Sequence, residues 1–167
     1  MIVVAVLAIL LVVLKTAVLE SVRVAGVLPD PLLILTVYAS RFFEPRRALI
    51  AGALVGSLAG LASAASWSLY PALYASAGWV AAHAWRQSLR ASVAVEFVFF
   101  LPLALCVNAA ILVADFGLGW RFARALVVMA VPNAIATAVA GPLLFAALKK
   151  HLKPILGGPS PRVARRW

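Results

Sequence analysis

The stretch PLLILTVYASRFFEPRRALIAGALVGSLAGLASAA, residues 31–65, decides how the chain is laid out. Read as one apolar helix, it places Arg41, Glu44, Arg46 and Arg47 near its middle. In a bilayer each central charge costs about 2.5 to 3.5 kcal/mol. Read as two helices broken at Glu44-Pro45, it leaves the same charges in a loop at the membrane surface. The cheaper reading is two helices, over residues 31–43 and 48–65. The first is short: about 13 residues at ~1.5 Å each reach about 20 Å, less than a hydrocarbon core of about 30 Å. It either leans on its neighbours or begins before Pro29.

The rest of the chain explains why a bilayer is the right solvent. Its 167 residues are 65% hydrophobic and 12% charged, with a mean hydropathy of +1.07. A soluble domain is about 45 to 50% apolar and about 25% charged. Disorder and a large extramembrane catalytic domain are both excluded by these proportions. The composition predicts an all-α integral membrane protein with a single transmembrane domain, residues 1–153, built from six helices over 2–22, 31–43, 48–65, 69–85, 91–114 and 122–148. The N-terminal run MIVVAVLAILLVVLKTAVLE lacks a basic region before it and a small-residue cleavage site after it, so it reads as a retained first span, with a cleaved signal as the alternative. Residues 154–167, PILGGPSPRVARRW, form a flexible basic tail suited to anionic headgroups.

Fifteen basic residues face five acidic ones. In a soluble protein that excess would point to nucleic acid; here it sets orientation, and no nucleic-acid partner is expected. With six passes, eleven basic residues (Arg41, Arg46, Arg47, Arg86, Arg90, Lys149, Lys150, Lys153, Arg162, Arg165 and Arg166) share one side, against Lys15, Arg23, Arg121 and Arg124 on the other. The positive-inside rule then places both termini in the cytoplasm, with anionic lipids as partners of that face. Trp67, Tyr70 and Trp120 fall at outer ends, and Tyr38, Phe42, Phe43 and Trp85 at inner ends, where amphipathic rings sit.

No catalytic set emerges. The acids are Glu20, Asp30, Glu44, Glu96 and Asp115, none close enough in sequence to another to form a local pair for Mg²⁺. His83 and His151 lack metal-ligand spacing, and Cys106 is the single cysteine. No catalytic, cofactor-binding or metal-ligating residues are assigned, and the chain is read as a non-enzyme without cofactors.

What remains is packing chemistry. Ala48, Gly52, Gly56, Gly60 and Ala64 recur every fourth residue, a stripe along which another helix can approach backbone to backbone. Either a helix of the same chain or the span of a partner protein fits that stripe. Glu96 enters the fifth segment from the cytoplasmic end, where Arg41, Arg86 or Arg90 can neutralise it. Asn108 and Asn133 are deep enough to seek interhelical hydrogen bonds, and Asn133 follows Pro132, whose kink frees a carbonyl. Asp30 followed by Pro31 is a helix start, the carboxylate capping free N–H groups; Pro29 and Asp30 are equally suited to a partner contact.

From Val27 to Trp85 the chain resembles the MreD family of rod shape-determining membrane proteins. The residues that carry the likeness are Pro29 and Asp30 before the Leu-rich second span with Leu32 and Leu33, then a short loop, then a Gly-rich span with Gly52, Gly56 and Gly60 ending in Gly60-Leu61. Family members commonly carry an aspartate a couple of residues further on, where this chain has Ala62, Ser63 and Ala64. The resemblance implies a noncatalytic component of the bacterial elongation machinery in the inner membrane. Such a component binds MreC and other membrane proteins of the rod complex, and helps maintain cell shape by coordinating peptidoglycan synthesis. It also implies a six-helix bundle similar to the substrate-binding subunits of energy-coupling-factor transporters. Pro29, Asp30, Gly52, Gly56, Gly60 and Leu61 are the expected partner-binding residues. The alternative function is a substrate-binding membrane subunit for a vitamin-type small molecule, which needs an outward pocket; Asp30, Ser66, Ser68, Tyr70, Tyr74, Asn108 and Asp115 are its polar candidates.

Overall fold

Proline sets two of the helix starts. Pro31 opens α2 (Pro31–Ala39) and Pro45 opens α3 (Pro45–Ala62), each at the position where a missing N–H leaves no hydrogen bond unmade. In this computed structural model, which describes residues 2–14, 27, 29–63, 68–87 and 93–156, these two follow α1 (Ile2–Leu14) and precede α4 (Leu69–Gln87) and α5 (Val93–Phe116). The last rod is continuous: α6 (Trp120–Ala125), a π-helical turn (Leu126–Ala130) and α7 (Val131–Leu156). All the regular elements among the described residues are helical. Two stretches, Val95–Phe116 and Trp120–Leu144, are long and apolar enough to cross a membrane.

Several boundaries differ from the expected ones for physical reasons. The second helix stops at Ala39 rather than at residue 43, and residues 40–43 tighten into turns in which Arg41 N–H donates to Tyr38 O and Phe42 N–H to Ala39 O. The third begins at Pro45 rather than at residue 48, because proline at the first helical position starts the helix immediately. The last begins at Trp120 and runs through residues 154–156, which the sequence assigned to the tail. Pro132 widens this rod: it has no N–H to give, and within the π-turn Val131 N–H reaches back five residues to Leu126 O. Residues 15–22 of the expected first span, with Lys15, Glu20 and Arg23, lie outside the described residues, as do Ser66, Trp67, Arg90 and 157–167 of the tail.

Packing fixes the directions. Gly52 on α3 faces Tyr74 on α4, Gly56 faces Tyr70, and Gly78 faces Ala48, so α3 and α4 are antiparallel. Tyr38 near the end of α2 meets Glu96 and Phe100 near the start of α5, while Asp30 at the other end of α2 meets Tyr74 and Thr137. Phe100 in turn lies against Gly141 of α7. From α2 onward the rods alternate up and down, as short connections require. Arg41, Arg46, Arg47 and Arg86 gather at one end of the bundle; Arg121 and Arg124 stand at the other.

At the centre sits α2. Every residue from Pro31 to Ala39 is buried. Nine residues at ~1.5 Å each make about 14 Å, so α2 is an interior helix wrapped by longer ones, which answers how so short a segment is held. Leu32, Leu33 and Val37 on it are fully buried with Val55, Tyr74, Phe100 and Thr137. The outside is apolar as well. Val6, Ile9 and Leu10 on α1, Leu54 on α3, Val98 on α5 and Ile135, Val139 and Leu143 on α7 are all exposed. Apolar surface spread over so many outer faces suits lipid, not water.

Candidate functional site

The polar chemistry is concentrated at the two ends of α2. At its start, Asp30 adopts an extended backbone and its Oδ1 accepts from Leu32 N–H at 3.1 Å and Leu33 N–H at 3.3 Å. The cap foreseen from Asp30-Pro31 is therefore present. Oδ2 accepts from the hydroxyl of the fully buried Tyr74 on α4. The Asp30 N–H donates to Thr137 Oγ1 on α7 at 2.9 Å, and that hydroxyl donates to Asn133 O one turn back at 2.8 Å. One residue thus ties α2, α4 and α7 together. Tyr70, a turn before Tyr74, shares a hydrogen bond with Ser63 at 3.0 Å.

At the other end, Glu96 is 6% exposed. Its Oε2 accepts from Tyr38 Oη at 2.9 Å and its Oε1 from Arg41 Nη1 at 3.0 Å. Among the described residues Arg41 is the expected arginine that meets it; Arg90 lies outside them. The guanidinium also lies over the Trp85 ring, 4.4 Å from its centroid, and Trp85 Nε1 donates to Val37 O. Trp85 packs on Phe99, and Tyr38 on Phe100, with ring centroids 5.6 Å and 5.3 Å apart. This second clasp joins α2, α4 and α5. The carboxylate is neutralised and hydrogen-bonded at once, the arrangement that makes a buried charge tolerable.

The six residues singled out in the sequence fall in different places. Pro29 and Asp30 are half-buried at the first clasp. Gly52 and Gly56 are occupied by the chain itself: a Cβ on Gly52 would run into the Tyr74 carbonyl, and one on Gly56 would come within 2.5 Å of the Tyr70 carbonyl oxygen. Of the two occupants considered for the stripe, the same-chain helix is the one found there. Gly60 is buried on the same helix. Leu61 alone points outward, 70% exposed, on a stripe with Ile50, Leu54 and Ser57.

Asn108 does not bridge helices as expected; its amide turns back to Ala104 O at 2.9 Å within α5. Tyr74 and Thr137 carry the first clasp, and sequence reading gave Tyr74 only a pocket-lining part and Thr137 none. The available signal was a lone hydroxyl in the apolar run AIATAVA. For the second clasp, the signal was Tyr38 and Arg41 three residues apart on one helical face.

A cavity of about 390 Å³ opens between α4 and α5, lined by Leu73, Ala77, Val80, Phe99, Leu103 and Cys106 among others. Its lining is almost wholly apolar, and Ser76 there already donates to Leu73 O. Comparison with protein-family models, with curated proteins and with solved structures finds no match to this chain.

Proposed function

We propose that the chain is a six-pass inner-membrane scaffold of the MreD type, noncatalytic, with both termini cytoplasmic, that binds MreC and helps couple the elongation machinery to peptidoglycan synthesis. The observation that carries the choice is the burial of α2. A substrate-binding subunit keeps a chamber with several polar groups turned into it; here a helix fills the middle of the bundle. Of the polar candidates for such a pocket, Asp30, Tyr70, Tyr74 and Asn108 are bonded to their own chain. Ser66 lies outside the described residues.

A bundle closed inside offers partners its outer faces. Because the glycine face of α3 is covered by α4, the partner face assigned here is the opposite one, the stripe of Ile50, Leu54 and Leu61. The resemblance over residues 27–85 supplies the identity of the partner. Co-purification of tagged MreC with this chain from co-expressing membranes tests the reading. Capture is expected, and Leu54→Ala with Leu61→Ala is expected to reduce it about thirtyfold, as removing two apolar interface anchors of about 1 kcal/mol each does. Failure of MreC to co-purify with the inserted protein, or tight retention of a vitamin-sized molecule in its place, overturns it.

A further inference from the structure

We propose that the turn between α5 and α6 is a binding site for the headgroups of anionic phospholipids, an inference that rests on the membrane-spanning reading above. The turn stands clear of the bundle. Gly117 reverses the chain at a φ of +66°, and a Cβ on Gly117 or Gly119 would meet no atom within 4 Å. Around these glycines Phe116, Leu118 and Trp120 are exposed, the last two at 84% and 81%. Phe116 ends one of the two stretches long enough to cross a membrane, Val95–Phe116, Trp120 begins the other, Trp120–Leu144, and Leu118 lies between them, which puts all three at the level of the bilayer interface.

Arg121 and Arg124 follow on the same turn of helix, both exposed. Among the described residues neither guanidinium is held in an ion pair. Asp115 is the one acid between residues 115 and 124, so the turn is net basic. Two arginines here also run against the charge sorting of the rest of the chain, which sends most of its basic residues to the opposite end. Apolar side chains beside two guanidiniums fit an amphiphile with an anionic phosphate, each arginine adding a charge-assisted bond to phosphate oxygens while Leu118 and Trp120 enter the acyl boundary.

The test uses the full chain in vesicles of phosphatidylcholine with or without phosphatidylglycerol. In a Cys106→Ser background, a polarity-sensitive fluorophore on Gly119→Cys reports the turn, and one on Val98→Cys, exposed on α5, reports the span. Both labels are expected to be quenched from the lipid phase. Native mass spectrometry is expected to show phosphatidylglycerol retained over phosphatidylcholine, with Arg121→Gln and Arg124→Gln together lowering that preference about thirtyfold, in line with about fivefold per surface arginine. Lipid-phase quenching at residue 98 with aqueous quenching at residue 119 places the turn in water, and overturns this site while leaving the membrane reading intact. An unchanged preference in the double variant also overturns the site. Aqueous quenching at both positions overturns the membrane reading along with it.

Discussion

Glu96 concentrates the energetics that single residues contribute. A carboxylate 6% exposed inside an apolar bundle stands only because Arg41 and Tyr38 both reach it. Removing one partner of a buried pair strands the other charge at about 3 to 5 kcal/mol. Arg41 retains 25% of its side-chain exposure, so water recovers part of that loss when Glu96 is the residue removed. Glu96→Ala is therefore expected to destabilise by about 3 kcal/mol and Arg41→Ala by at least as much, since the second leaves the acid buried without its cation. The double variant should lose less than the two together, a coupling readable from thermal unfolding of the four proteins in detergent; strict additivity would show that the pair is not coupled. That Glu96 needs an arginine is legible from hydropathy alone. Which arginine answers is not, because the sequence sends Arg41, Arg86 and Arg90 alike to that end, and it is the register of α2 on α5 that brings Arg41 to the acid. Asp30 is the converse case. Its cap on Leu32 and Leu33 follows from local spacing, whereas its bonds to Tyr74 and Thr137 depend on two helices far away in the chain.

Among the elements, α3 and α4 form the tightest pair, and small residues are the reason. Gly56 lets the backbone of α4 approach at Tyr70 and Pro71, so a leucine there has no room without separating the helices. Overpacking costs about 1 to 3 kcal/mol where neighbours are side chains that can move. Here the neighbours are backbone atoms, so Gly56→Leu is expected at or above the top of that range, while Gly119→Ala, facing open space, should leave stability unchanged. A thermal-shift comparison of the two checks this; equal melting temperatures would show that the glycine contact does not hold the pair. The stripe itself is plain in the sequence from its four-residue repeat. Its partner is not, since a small-residue face accepts any helix that comes close. The π-turn was likewise only half legible: Pro132 announces a disturbance, and whether the rod kinks or widens depends on the packing around it.

For the whole molecule, charge and packing agree on two unlike ends. Arg46 and Arg86 stand at one, Ser68 at the other. Single cysteines replacing each of the three, in a Cys106→Ser background, are expected to react with an impermeant maleimide so that 46 and 86 share a compartment and 68 is labelled from the opposite one. Labelling of all three from one side would dissolve the alternating arrangement. Composition by itself determined that the secondary structure is helical, that two stretches are long and apolar enough to cross a membrane, and, to within a few residues, where proline breaks the rods, because hydropathy and proline act locally and need no knowledge of neighbours. Only the tertiary structure decided that the shortest helix is the core, that the glycine stripe is covered from within, and that two acids serve as clasps on that helix. Those outcomes depend on which faces meet, and in a bilayer nearly every face is apolar enough to meet any other.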